Sequence, residues 1–568
     1  QLPVGLHLVP APACCEGFQF CRVAGTNNFS TKVVGNIEKV ADLAKGIRVR
    51  LSHETGSDHC DIERCFWHWH NGPGPKHTQS WDFTSAFTRS SLIADYTRNA
   101  YPLECKRMGS PETTVSESTA SALSNYTPQP MNFPKDFLWG VSTAAHQVEG
   151  GNNNQWSDWE AAGRIRSGDS CGRACDWWNN AEADFDLAQR MGLNALRLSV
   201  EWSRVEPDEN RWDSTAIKRY RTAVLGLRER GIQPMLSLHH FTHPRWFEAD
   251  GAFSNADAGP IFERFTRRIV QELGDLCQNW VTFNEPNVYA ALGYVLGEFP
   301  PGRTSEIATA VRVANAMARA HARAYHAIHE LQPNARVGWA HNYVVFEPAN
   351  PRSRLDRWTA SLLSQLFNEI FLAAIENGRL EFPLNLADGD LASAKGTCDF
   401  VGLNVYSRFH VAFSPEKSSQ LFADVFVPED VPQGDCGVDK PYGEAYPEAI
   451  GAAVRRASRL GKPIYILENG VPDAKDRIRP WLIVNAVKQL HELIQEGHDI
   501  RGYFHWTLID NFEWTEGWNL RFGLVALDPV TQERTMRKSG ELYSEIARAN
   551  ALLPELIARF GDAQMGTR

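Results

Sequence analysis

No stretch of this chain approaches the ~18–20 continuous apolar residues of a membrane-crossing helix, so the sequence predicts no membrane span. Positive charge is not in excess: 58 Lys and Arg stand against 68 Asp and Glu, a formal net charge of −10. No basic field invites nucleic acid or an anionic membrane surface. Phosphate loops are missing too, with neither G-x-G-x-x-G after a strand nor G-x-x-x-x-G-K-[ST]. The first residues lack an early positive charge, and the run Val4 to Val9 is interrupted by Gly5 and His7, so no secretory leader is read there. Ala11-Pro12-Ala13 before Cys14 is only a faint trace of a cleavage site, and the chain opens with Gln1 rather than Met, which leaves room for a missing start. The expected location is cytoplasmic, with secretion left open. Paired cysteine is not evident. The 11 Cys are an odd number; six precede residue 131 (Cys14, Cys15, Cys21, Cys60, Cys65 and Cys105) and five are scattered over the rest, a reduced pattern of usage.

What is present is ordinary globular material, 43% hydrophobic and 22% charged, with enough apolar residues for a large core. The 18 Trp are many, and several lie near Gly, Asn, Glu or His. Flat indole faces suit sugar rings, although a large core uses Trp equally well. The chain reads in two unequal parts. Residues 1–130 show no sustained period beyond short runs such as 33–49, and 108–130 is a Ser-, Thr- and Pro-rich linker. Cys60, Cys65, His68 and His70 crowd together, but their spacing fits no standard zinc finger. This part is expected to be an irregular, partly disordered extension, or a leader joined upstream of a domain that starts at Met131.

From residue 131 to 568 short β-branched or aromatic runs alternate with helix-length amphipathic ones. Strands are predicted over 137–142, 195–201, 233–240, 280–284, 336–341, 400–406, 463–468 and 500–507. Helices are predicted over 181–191, 214–230, 261–276, 307–331, 354–376, 444–460, 478–497 and 539–552. Such alternation implies parallel strands with right-handed crossovers, and eight units closing on themselves make an α/β fold of the (β/α)8 TIM-barrel class. An open doubly wound sheet is the alternative; it usually has fewer strands and a phosphate loop.

In such a barrel the chemistry gathers at the C-terminal strand ends. Polar and aromatic residues cluster at seven of the eight: His146, Gln147 and Glu149; Arg197, Glu201 and Trp202; His239 and His240; Asn284 and Glu285; Asn404 and Tyr406; Glu468 and Asn469; Trp506, Glu513 and Trp514. Each alone reads as solvated or structural, but the joint pattern is hard to credit to solvation. Arg197 inside an apolar strand must pair with a carboxylate. Retaining cleavage of a glycosidic bond needs two carboxyls about 5 Å apart, one protonated and one ionised. Glu285 and Glu468 end strands that face one another across the mouth. Arg197 and Tyr406 would hold Glu468 ionised as nucleophile, and the neighbouring charge would keep Glu285 protonated as acid/base. Asn284 would bond the sugar 2-hydroxyl.

These motifs resemble glycoside hydrolase family 1, the β-glucosidase family, from about residue 131 to 553. Thr282-Phe283-Asn284-Glu285-Pro286-Asn287 is similar to its acid/base motif and Ile466-Leu467-Glu468-Asn469-Gly470 to its nucleophile motif. Phe133 to Gly140 with His146-Gln147-Val148-Glu149-Gly150, Arg197 to Arg204, and Asp510 to Trp514 also fit. The resemblance implies hydrolysis of terminal β-D-glucosides, with β-galactosides or β-fucosides as further substrates, and small β-glucosides or cello-oligosaccharides as the molecules bound. It implies a sugar-binding set of Gln147, His240, Asn284, Glu513 and Trp514, with Trp506 as stacking platform, Asn404 and Tyr406 beside the nucleophile, and no metal or cofactor. Phe241 stands where many members have Trp, which would loosen recognition of the 3-hydroxyl, and Leu467 replaces a common Thr. Glu285 is not the Gln of thioglucosidases, and Glu513 would repel the phosphate that 6-phospho-glycosidases bind. The other readings are a transglycosylase on the same site, a non-catalytic sugar-binding barrel, and a metalloenzyme built on His239, His240 and His243. Cys171 and Cys175 read as unpaired thiols. An oligomer is compatible with the sequence, and the leaving-group site is built from loops, such as 289–303 and 410–442, that the sequence does not shape.

Overall fold

The computed structural model describes residues 129–380, 383–386 and 390–562, together with four short strands nearer the N-terminus. By compactness the chain divides into two units, Gln1–Ala24 with Ala44–Pro128, and Gly25–Leu43 with Gln129–Arg568. In the described part of the first stretch, Gly5–Leu6 pairs in parallel with Arg48–Val49, and Leu51–His53 forms an antiparallel pair with Gly56–Asp58. The Cys60–His70 cluster and all but the last two residues of both the 33–49 run and the 108–130 linker lie outside the described residues.

Eight short runs of branched and aromatic residues become eight strands: β1 (Leu138–Ser142), β2 (Ala195–Ser199), β3 (Gln233–His239), β4 (Asn279–Asn284), β5 (Arg336–Asn342), β6 (Val401–Asn404), β7 (Ile464–Asn469) and β8 (Ile500–His505). They pair in parallel in chain order, and β8 returns to β1, closing the barrel. The helices that follow them are α1 (Trp177–Arg190), α2 (Ser214–Glu229), α3 (Ala258–Leu273), α4 (Ile307–Leu331), α5 (Arg354–Asn377), α6 (Ala449–Ala457), α7 (Arg479–Gln495) and α8 (Lys538–Ala549). Their starts are set locally. Asp213 accepts from the Thr215 and Ala216 N–H groups at α2, and Ser353 accepts from Asp356 N–H at α5, each satisfying donors the helix leaves free.

Alternation along the strands sorts two cores. Ala195, Met235, Val281, Ala340, Phe400, Tyr465, Leu467 and Phe504 fill the barrel interior. Leu196, Leu236, Trp280, Val337, Ile466 and Tyr503 face outward into the core shared with the helices. Two register shifts break this parity where it matters. One lies in the β4–β5 pairing between Gly338 and Ala340, and the other in β7 between Ile466 and Asn469. Each inserts an extra residue, so that Asn284 and Glu468 turn inward where strict alternation would aim them at the helices.

Every predicted strand is present to within two residues. The sixth predicted helix was too long: Glu444–Ala445 is a strand paired with Ser407–Phe413 in a small accessory sheet. Pro447 cannot donate within a helix, and Glu444 is instead gripped by Nη2 and Nε of Arg408 at 2.7 and 2.8 Å. Similarly, α8 stops at Ala549, and Ala551–Leu552 pairs with Met131–Asn132. Among the described residues no helix is long and apolar enough to cross a membrane. Cys171 and Cys175 are buried free thiols, as read.

Candidate active site

At the open end of the barrel Arg197, Asn284, Glu285, Asn404, Tyr406 and Glu468 share one hydrogen-bonded network. Arg197, on β2, is fully buried. Its guanidinium donates to Glu468 Oε1 at 2.5 Å, to Asn284 Oδ1 at 2.6 Å and to Ser237 Oγ at 2.9 Å. The other Glu468 oxygen accepts from the Tyr406 hydroxyl at 2.5 Å. Glu285 ends β4 in the left-handed region, φ 46°, immediately before the helix Pro286–Tyr294. Its Oε1 accepts only amide N–H groups, from Asn342 and Asn404, both at 2.8 Å. Asn404 also donates to Asn284 Oδ1 at 3.0 Å, and Asn284 Nδ2 lies 3.0 Å from His240 Nε2.

The charges are therefore distributed unevenly. Burial pushes both carboxyls up. For Glu468 the Arg197 cation and the Tyr406 hydroxyl act against that rise. For Glu285 no cation is in contact among the described residues; burial first and the Glu468 charge second push it up to about 8. The sequence argument gave the neighbouring charge as the cause, but loss of water is the larger one.

Across the mouth, Gln147 Nε2 donates to Glu513 Oε2 at 3.2 Å, to the Phe512 carbonyl at 2.8 Å and to Asn511 Oδ1 at 3.2 Å. Glu513 is also pushed up to about 8, by burial and then by Glu468. His240 lies ring to ring between Trp506, 5.9 Å away, and Trp514, 6.0 Å away, nearly parallel to both. Phe241 packs at 5.2 Å against both Phe299 and Trp514.

Asn342 and Tyr442 were not anticipated. Asn342 ends β5, the one strand end to which the sequence reading assigned no group. Tyr442 belongs to a loop with no readable period, and its ring meets Phe522 at 5.0 Å and Tyr406 at 5.9 Å. Of the three histidines weighed as metal ligands, His240 meets Asn284, and the other two form a hydrogen-bonded chain. His239 Nε2 lies 3.3 Å from His243 Nδ1, and His243 Nε2 lies 2.7 Å from Glu248. Among the described residues no group of three or more His, Cys, Asp or Glu is placed to hold a metal ion.

Two buried carboxyls in opposed surroundings, ringed by amides and indoles at the mouth of a parallel barrel, define a β-glycosidase. The sequence model of glycosyl hydrolase family 1 matches residues 129–552, and the chain belongs to that family. Beta-glucosidase A of Thermotoga maritima is 32% identical over 74% of this chain and 98% of that enzyme. A beta-galactosidase of Pyrococcus woesei is 29% identical over 75% of this chain and 98% of its own length. Among solved structures, a beta-glycosidase from Pyrococcus horikoshii superposes with a TM-score of 0.71 at 34% identity, covering 77% of this chain and all (100%) of that one. The beta-glucosidase from Thermotoga maritima in complex with castanospermine gives 0.69 at 31% identity, covering 74% of this chain and 100% of that one.

Proposed function

We propose that this enzyme is a retaining β-glucosidase that removes terminal, non-reducing β-D-glucosyl residues from small β-glucosides and cello-oligosaccharides, with β-D-galactosyl and β-D-fucosyl residues also accepted. The observation that carries this reading is the asymmetry of the two carboxyls: Arg197 and Tyr406 grip Glu468, whereas Glu285 meets only amides. The ionised Glu468 attacks the anomeric carbon. The bond to the leaving oxygen breaks, and that oxygen takes the Glu285 proton. The Glu285 carboxylate then takes a proton from water as the water oxygen displaces Glu468, which restores both groups and returns the β-anomer. Asn284 keeps one N–H for the sugar 2-hydroxyl. Gln147 and Glu513 serve the hydroxyls farther from the leaving group, and Trp506 and Trp514 offer the ring faces. The buried Gln147 Oε1 and His240 Nδ1 have no hydrogen-bond partner among the described residues, which suits a polyhydroxylated ligand. Beta-glucosidase and beta-galactosidase relatives, and the castanospermine complex of the Thermotoga maritima enzyme, support the substrate class.

The test is nitrophenol release from an aryl β-D-glucoside by the parent and Glu468→Gln, with the first-formed glucose read by proton NMR. A loss of several orders of magnitude in the variant is expected, with β-glucose from the parent. First-formed α-glucose would refute retention. We also propose residues 131–568 as the catalytic domain. A chain beginning at Met131 should keep its kcat and KM; a folded but inactive truncation would place part of the site in residues 1–130.

A further inference from the structure

The loops around the barrel mouth are tied together by an ion-pair cluster that the reaction does not use. Its centre is Arg166, on the connection between β1 and α1. Its guanidinium reaches Glu298, on the loop after β4, at 2.9 Å, and also Glu516, on the loop after β8; its Nε faces Asp439 at 3.9 Å. Lys440 takes the other oxygen of Glu298 at 2.8 Å, and Val438 N–H donates to the other oxygen of Glu516 at 2.8 Å. The Arg166 N–H donates to the Thr515 carbonyl at 2.8 Å. The side chains of Arg166, Glu298 and Glu516 are only 21%, 22% and 12% exposed, so these charge-assisted bonds are shielded from water and stronger than open surface pairs. The approach is close: a Cβ on Gly437 would lie 2.6 Å from the Glu516 carboxylate, which would have to shift to admit it.

Asp439 and Lys440 belong to residues 433–442, on the long connection between β6 and β7. The start of that segment is fixed to the loop after β7, where Asp435 N–H donates to the Pro472 carbonyl and its carboxylate accepts from Ala474 N–H, both at 2.6 Å. The segment then turns back, bridging Cys436 to Pro441. It ends with Tyr442 against Phe522 and Tyr406, the latter holding Glu468. The Tyr442 hydroxyl lies in the field of Glu513, Glu285 and Glu468.

We propose that Arg166 is a positioning residue: with Glu298, Glu516 and Lys440 it fastens residues 433–442 as a strap across the barrel mouth, holding Tyr442 as a wall of the sugar site. This rests on the glycosidase reading above. Arg166 touches neither Glu285 nor Glu468, so loosening the strap should weaken substrate binding and leave the chemical step nearly intact. Nitrophenol release would be measured for the parent, Arg166→Gln, Arg166→Lys, Tyr442→Ala and the Arg166→Gln/Tyr442→Ala pair. Arg166→Gln should raise KM about tenfold with kcat within about twofold. Arg166→Lys should recover part of that loss. In the Tyr442→Ala background Arg166→Gln should add almost nothing, because the two act in series. If Arg166→Gln does not fold, the Glu298→Gln/Lys440→Met pair loosens the same strap from its other side and carries the same expectation. An unchanged KM in these variants, or additive effects with Tyr442→Ala, overturns the strap while the parent remains active. A folded but inactive parent would instead sink the glycosidase reading.

Discussion

Replacing Arg197 with methionine would leave the Glu468 carboxylate buried with only the uncharged Tyr406 and Asn404 to bond it among the described residues. Arg197 is fully buried and gives three hydrogen bonds, the shortest to Glu468 at 2.5 Å. Breaking a buried pair from one side costs about 3–5 kcal/mol when the remaining charge stays. The carboxylate can escape that cost by taking a proton. A contacting opposite charge is worth about 1–3 pKa units. Its loss raises the pKa of Glu468, so the acid limb of the kcat/KM–pH profile should move up by about that amount. Below the new limb, activity falls roughly 10- to 1,000-fold, because each unit is a tenfold loss of ionised nucleophile. Glu285 must stay protonated, so the optimum should narrow from its acid side. Arg197→Lys keeps the charge but not the fork that also holds Asn284; it should return the acid limb most of the way while kcat/KM stays below the parent. The assay is aryl β-D-glucoside turnover across pH 4 to 10, with folding checked by circular dichroism. A folded Arg197→Met variant whose activity drops equally at every pH would refute the claim that Arg197 acts by holding Glu468 ionised.

Glu285 is pushed up to about 8, so kcat/KM should fall above that pH as the acid loses its proton, and Glu285→Gln should remove this limb; a limb that persists in the variant assigns it to another group. Glu513 is raised from 4.5 to about 8. Between those pH values the folded protein holds a proton that the unfolded chain has released, so this group's contribution to stability falls as pH rises through the window. The shift is worth at most ~5 kcal/mol. Glu513→Gln keeps an oxygen for Gln147 and should melt several degrees higher than the parent at pH 8, the gain vanishing below about pH 4.5; equal melting temperatures at pH 8 would contradict it.

The barrel was legible because its signals are local. Alternating short apolar runs and amphipathic stretches placed all eight strands, and α4 matches its predicted span, 307–331, at both ends. Arg197, Glu285 and Glu468 were legible for a different reason: a charge inside an apolar strand must be compensated, and strand ends face one mouth. What escaped depends on distant pairing. No feature of the sequence marks the β4 and β7 register shifts, because a bulge is defined by the neighbouring strand. Asn342 is marked only by its bond to Glu285 on the neighbouring strand. The Arg166 cluster joins residues more than 100 positions apart, through charges that each read as solvated loop.

The register shifts and the uneven charges belong to one argument. A catalytic pair of carboxyls must differ in protonation, and at a barrel mouth burial raises both. Only a cation reaching one and not the other separates them. Arg197 lies on β2, and the β7 shift turns Glu468 inward to meet it. The β4 shift brings Asn284, not Glu285, to the same guanidinium. Glu285 then falls at the strand's last turn, in a left-handed conformation before Pro286, where Asn342 and Asn404 supply hydrogen bonds without charge. A left-handed non-glycine residue costs of order 1–3 kcal/mol, and three buried carboxyls with a single arginine among them cost more. On the proposed mechanism, stability is spent here so that one proton sits on Glu285 and one negative charge on Glu468.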